Sequence, residues 1–536
     1  MHTPRALSAS ALAAILLVFP LALPASAATA DGTGARVSYE TVPGHGGTDL
    51  KAMVITPTGY EGPRPLLVMP AAWSTSNLLY VGAAKRLAYE SGYQVISYTS
   101  RGFWDSGGEV EVAGPEDVAD ARAVIDWGLR ETDADPERVG MAGISYGAGI
   151  SLLTAAEDDR VEAVGAMSGW SDLAASIYPD ETVNYQAVEL LLTSARLTGR
   201  PGDALEEMES EYRDGNVQPA LELAPERSVS TKMDALDANG PAVMLGHAWN
   251  DGIFPASQFT DFYSDYTGPK RLMLSAGDHA TAEAFGAFGL PDETWESLTR
   301  WFDHHLRGAD NGVAAEDPVR VKPNNGGAWS SYPDWESVSA KETTLHMGEP
   351  ERSWSDWQRT GGLADEPQTG WEYGVRAGIG TAAESGTLLL SGALQQFAGV
   401  PTGVSLPLVD RRRAGVWTGG AYADGVRISG TPRADITVTP TDSEQSLYVY
   451  LYDVDRHGTG SLVTHQPYTL RGAEPGQPAD LDVALEPVVW DVPSGHRLAL
   501  VVDTRDARYT DESDIGERVT FGSPESHPAS LTVPTA

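Results

Sequence analysis

Few folds can accommodate the stretch from Arg138 to Ala156. Val139-Gly140-Met141-Ala142-Gly143 is a short apolar run that reads as a buried strand, and Ala148 to Ala156 reads as the start of an apolar helix. Between them lies Gly143-Ile144-Ser145-Tyr146-Gly147, a G-x-S-x-G turn. A serine at the centre of so tight a turn stands clear of the strand end. Only glycine on either side lets strand and helix approach each other that closely. In a chain with 57 glycines the bare pattern says little. Set between a strand and a helix, it marks Ser145 as a nucleophile.

Composition narrows the setting. The chain of 536 residues exceeds one hydrophobic core, so two or three domains are expected. Met1 to Ala27 has a thin basic start (His2, Arg5), an apolar stretch from Ala11 to Leu23, and Pro24-Ala25-Ser26-Ala27. That is the pattern of a secretory signal with a small-residue cleavage site, and the apolar stretch is short for a membrane span. Residues 1–27 are therefore read as a signal peptide, leaving an exported, soluble protein with no membrane partner. The formal charge of −38 argues against nucleic-acid partners. With no cysteine there is neither a disulfide nor a thiolate metal site, and a nucleophile must be a hydroxyl or carboxylate. No oligomeric state is read from the sequence.

From Val37 to about Leu306, strand-like runs alternate with helix-like ones. The strands are expected at 50–55, 66–70, 93–98, 139–144, 161–167, 242–246 and 271–275. Helices are expected at 78–91, 115–130 and 291–306. Buried strands alternating with helices imply a parallel sheet covered on both faces. Residues 173–238 break the alternation with helix formers alone and read as a helical cap. Beyond Gly308 the pattern turns to short β segments, clearest at 446–452 and 496–502, with shorter ones at 387–390 and 434–439. These predict a β-sandwich or jelly roll. The division is thus 28–315 for the α/β domain and 316–536 for the β domain.

A serine hydroxyl needs a histidine base, and the base needs a carboxylate to orient it. In α/β-hydrolases the three follow in the order Ser, acid, His, each after a strand. After the strand at 242–246 comes His247-Ala248-Trp249-Asn250-Asp251, and after that at 271–275 comes Asp278-His279. Asp251 and His279 are the acid and base. His247 precedes the acid and is read as structural, as are His304 and His305 on a helix. Asp278 is expected to serve backbone hydrogen bonds. The oxyanion donors are the Tyr146 N–H and, after the strand at 66–70, a backbone N–H of Ala72 or Trp73 or the Trp73 indole. No set of His and carboxylates has metal-ligand spacing; Asp453-Val454-Asp455 is read as solvated, and no cofactor is expected.

These features resemble the Xaa-Pro dipeptidyl-peptidase and cocaine-esterase family of serine hydrolases. The likeness rests on the Arg101-Gly102…Ser106-Gly107-Gly108 loop, the Gly143–Gly147 turn, the Asp251/His279 pair, and Ile428-Ser429-Gly430-Thr431-Pro432 followed by Leu451-Tyr452-Asp453-Val454-Asp455. It implies an α/β-hydrolase core, a helical cap and a jelly-roll domain that helps wall the site. Family members often carry a tyrosine in the oxyanion loop, where this chain has Ala71-Ala72-Trp73. The expected substrate is a small peptide or an ester. Acids of the cap (Glu181, Glu189, Glu206, Glu207) suit a substrate ammonium and favour a peptidase. A second expectation, from another class, is a binding protein with a vestigial core that uses Trp417, Tyr448, Tyr450 and Trp490 as stacking faces for a carbohydrate or surface partner.

Overall fold

The computed structural model describes residues 34–352 and 358–536. The signal-like residues 1–27 lie outside the described residues. The first sheet runs β1 (Gly34–Pro43), β2 (Asp49–Thr58), β4 (Gln94–Tyr98), β3 (Arg64–Pro70), β5 (Ala134–Ile144), β6 (Val161–Met167), β7 (Ala242–Ala248), β8 (Lys270–Ser275), β9 (Val319–Val321) and β10 (Ser330–Tyr332) in that spatial order. From β4 through β9 every neighbour pair is parallel, whereas β1, β2 and β10 join antiparallel. Alternation along the strands splits the core. On β3, Leu66 and Val68 face one layer while Leu67 and Met69 face the other. On β5, Met141 and Ala142 part in the same way. Burying each of these Leu, Val and Met side chains contributes about 1.5–3 kcal/mol.

One face carries α2 (Pro115–Glu131) and α3 (Tyr146–Glu157); α1 (Val81–Ser91) and α11 (Glu293–Arg307) cover the other. Between β6 and β7 the expected cap is built of helices, α4 (Leu173–Ile177), α5 (Tyr185–Thr198), α6 (Asp203–Arg213), α7 (Gln218–Leu223) and α8 (Met233–Asn239). Helix α9 (Ser257–Asp265) links β7 to β8, and the short α10 (Ala284–Ala287) follows β8. Two expectations need correction. The boundary at 315/316 falls inside the first sheet, because Val319 and Val321 pair with Leu272 and Leu274 and are fully buried. The strand expected at 387–390 is absent. Leu390 opens helix α12 (Leu390–Ala398), since the Leu run continues into Ser-Gly-Ala-Leu-Gln-Gln, which has no alternation to support a strand.

The C-terminal part is a β-sandwich of the jelly-roll kind. Gln445–Val454 pairs with Thr459–Leu470 and Arg497–Asp503, and Arg433–Pro440 pairs with Ala479–Ala484 and Arg518–Ser523. Its core packs Trp417 edge-on to Phe521, with Trp490, Val449 and Leu500 around them. Trp417, Tyr448, Tyr450 and Trp490 are all buried, so they offer no stacking face. Asp453 accepts from Trp490 Nε1 and bonds His496 Nδ1, and Asp455 accepts from the N–H groups of His457 and Thr459. The sandwich meets the cap through main-chain bonds, Thr510 N–H to Val183 O (3.0 Å) and Gln186 N–H to Arg508 O (3.0 Å). No helix among the described residues is long and apolar enough to cross a membrane.

Candidate active site

The central strand β5 ends at Ile144, and α3 begins at Tyr146, leaving one residue to reverse the chain. That residue is Ser145, at φ 58° and ψ −118°, a conformation most side chains avoid. The two glycines are there for space. A Cβ on Gly143 would come 2.3 Å from the Gly147 carbonyl carbon, and one on Gly147 would come 2.2 Å from Pro70 O. Positive φ recurs at Ser168 (45°), directly after β6, and at Ser74 (64°) and Ala280 (60°) in the loops after β3 and β8. Strain of this kind persists only where the surrounding packing holds it.

The loops after β7 and β8 bring the expected partners together. His279 Nε2 lies 2.8 Å from Ser145 Oγ, and its Nδ1 lies 2.9 and 3.1 Å from the Asp251 oxygens. Asp251 Oδ1 also accepts the N–H groups of Ile253 and Phe254, both at 2.9 Å. Burial alone would raise the Asp251 pKa. The charges and hydrogen bonds of His279, with His247 and the Phe254 N–H, outweigh it and hold the carboxyl below the usual range. His247 lies buried beneath, donating Nε2–H to Phe254 O at 2.8 Å. Desolvation lowers its pKa and keeps it neutral, so it supports the loop and does not compete as base. On α11, His304 bonds Ala309 O, and the His305 ring packs tilted against that of Trp301.

The oxyanion side is half as expected. The backbone N–H groups of Ala72, Trp73 and Tyr146 have no acceptor among the described residues, whereas Ala71 N–H donates to Tyr98 O. The Trp73 indole is not available, because Nε1 donates to Leu191 O on α5 at 3.0 Å. Its ring instead packs edge-on against Phe103 and Tyr146. Asp278 serves backbone hydrogen bonds as expected, accepting from Gly252 N and His279 N.

Several residues near the site were missed from sequence. Tyr146 OH donates to Asp117 on α2 at 2.9 Å and accepts from Ala113 N–H. Asp117 and Asp120 are both buried on the apolar stripe of α2 with Ala121 and Val124, and acids on such a stripe are a signal that could have exposed them. Asp120 is clamped by Arg101, at 2.8 and 2.9 Å, which assigns the Arg101 loop to holding α2. Glu283 is fully buried, with Ser168 Oγ at 3.1 and 3.2 Å. Burial, then the charges of Asp292 and Asp251, push its pKa well up.

Over Ser145 lies a cavity of about 1090 Å³, open mouth included. Its floor is Trp73, Tyr146, Trp170 and Phe254; its roof comes from the cap, chiefly Leu205, Met208, Tyr212 and Leu221. Glu181, Glu189, Glu206 and Glu207 are not in its wall. Glu209 is, but its carboxylate is paired with Arg196 (2.6 Å) and Arg213 (3.5 Å). Chemically, the site can pass a proton from a serine to a histidine beside an apolar chamber.

A sheet of this order with a serine turn after its central strand defines the class: an α/β-hydrolase. A family model for X-Pro dipeptidyl-peptidase (S15 family) matches residues 46–281, and one for the X-Pro dipeptidyl-peptidase C-terminal non-catalytic domain matches residues 311–527. The chain belongs to this family of hydrolases. A Bacillus cereus protein with a provisional Xaa-Pro dipeptidyl-peptidase name is 21% identical over 473 residues, covering 80% of this chain and 74% of its own. The cocaine esterase of a Rhodococcus species is 22% identical over 370 residues, covering 59% and 63%. Among solved structures, an α-amino acid ester hydrolase superposes with a TM-score of 0.70 at 14% identity, over 97% of this chain and 100% of that one.

Proposed function

We propose that the protein is a serine hydrolase that works through an acyl-enzyme and cleaves carboxylic esters with an apolar acyl group. Ser145 Oγ attacks the carbonyl carbon as its proton passes to His279 Nε2. Asp251 holds the imidazole with Nδ1–H toward the carboxylate and stabilises the imidazolium. The oxyanion is met by the N–H groups of Tyr146 and of Ala72 or Trp73, each such donor contributing about 3–4 kcal/mol. His279 then protonates the departing alcohol, and water on the same base releases the acid. Trp73 and Tyr146 line the chamber and His279 does not, so the acyl group fits the chamber and the alcohol leaves toward His279.

The observation that carries the ester reading is the chamber's wall. A substrate ammonium taken into an apolar space costs several kcal/mol unless an unpaired carboxylate meets it. The one acid in the wall among the described residues, Glu209, already faces two arginines. Release of N-terminal dipeptides is the second reading, favoured by the family match. A panel of p-nitrophenyl acetate, butyrate and octanoate beside dipeptidyl p-nitroanilides decides between them. Esters are expected to exceed anilides in kcat/KM by at least about 100-fold. Faster turnover of a proline-containing anilide would move the assignment to the second reading. Export is proposed as well, on the signal-like sequence of residues 1–27.

A further inference from the structure

Asp251 and His279 sit in loops that leave neighbouring strands, and the β7–β8 pairing ends at Ala248 and Ser275. Beyond that point the separation of the loops has to be set by something else. One side chain spans the gap. Asp278 is fully buried, and its Oδ1 accepts both Gly252 N–H (2.9 Å) and His279 N–H (2.8 Å). The residue after Asp251 and His279 itself thus hang from a single oxygen. The other oxygen, Oδ2, has no hydrogen-bond partner among the described residues. Burying a half-satisfied carboxyl is unfavourable for stability, and burial accordingly raises its pKa.

The β domain closes over this bridge through α12. Gly392 lies so near that a Cβ on it would come 2.6 Å from Asp278 Cβ. Two consecutive glutamines then take one loop each. Gln395 Oε1 accepts from Asn250 Nδ2 at 3.0 Å, and Gln396 Oε1 accepts from Thr281 Oγ1 at 2.7 Å. Because both glutamines stand on one helix, their grip fixes one loop relative to the other.

We infer that Asp278 is a positioning residue that sets the Asp251–His279 contact, and that α12 of the β domain holds it there. This rests on the serine-hydrolase reading above. The β domain is then part of the catalytic geometry, and its contribution reaches the base without touching substrate. A displacement of about 1 Å at such a base costs about 100-fold in rate. Substrate binding in the chamber, walled by the cap and Trp73, is left alone. An asparagine at 278 keeps an oxygen able to accept both N–H groups, while alanine removes it.

The test is kcat and KM for p-nitrophenyl butyrate in wild type, Asp278→Ala, Asp278→Asn and Gln396→Ala, with far-UV circular dichroism on each. Asp278→Ala is expected to lose about 100-fold in kcat with KM within about twofold of wild type. Asp278→Asn should stay within about fivefold of wild type, and Gln396→Ala should lose kcat at constant KM. A folded Asp278→Ala with wild-type kcat overturns the inference, and so does an asparagine variant as slow as the alanine one. If Asp278→Ala does not fold, wild-type kcat in Gln396→Ala overturns it. Failure of the underlying reading looks different, because Ser145→Ala would then stay active.

Discussion

Tyr146 does two things at once, and they come from different atoms. Its main chain offers an N–H with no acceptor among the described residues, and its phenol ties the start of α3 to Asp117 on α2. Asp117 is buried, and that burial, opposed by the Tyr146 hydrogen bond, pushes its pKa up to about 7. The sign of the pH effect follows. Between about 4 and about 7 the unfolded chain has lost this proton while the folded chain keeps it, so stability falls as pH rises. Asp117→Asn lacks the term. Its thermal midpoint minus that of wild type is predicted to become more positive from pH 4 to pH 8, read by calorimetry on both proteins. A difference flat with pH would mean that Asp117 titrates normally.

On the ester reading, substrate choice resides in the cap. Helix α6 sends Leu205 and Met208 into the chamber, and between its helices the wall is almost free of polar groups. Met208→Trp fills that space without approaching Ser145. It is predicted to lower kcat/KM for the octanoyl ester about 10-fold relative to the acetyl ester, since each methylene of fit carries about 1–3 kcal/mol. An unchanged chain-length profile would move the acyl group out of the chamber. Helical propensity made the cap readable as helices from sequence, but which faces turn inward depends on contacts between segments far apart in the chain. The acid Glu189 illustrates this: as a residue it suggested an ammonium site, yet in the fold it pairs with Arg213. In the same way α12 hid behind Thr387-Leu388-Leu389-Leu390, a run whose strand propensity gives way to the helix it caps.

At the scale of the molecule, the turn at Gly143–Gly147, the order Ser145, Asp251, His279 and the division into two parts were legible because each depends on local spacing. What could not be read were the bonds that cross the chain: Asp117 to Tyr146, Asp278 to Gly252, and Gln395 and Gln396 to the two loops. The β domain therefore does more than cover the core; it braces the loops that carry Asp251 and His279. That Ser145 is the nucleophile can be read out by peptide mass spectrometry after fluorophosphonate treatment. The predicted result is one phosphonyl adduct, on Ser145, forming in step with loss of esterase activity, and Ser145→Ala that neither labels nor turns over. Full inactivation with the adduct on another residue, or an active Ser145→Ala, would contradict it.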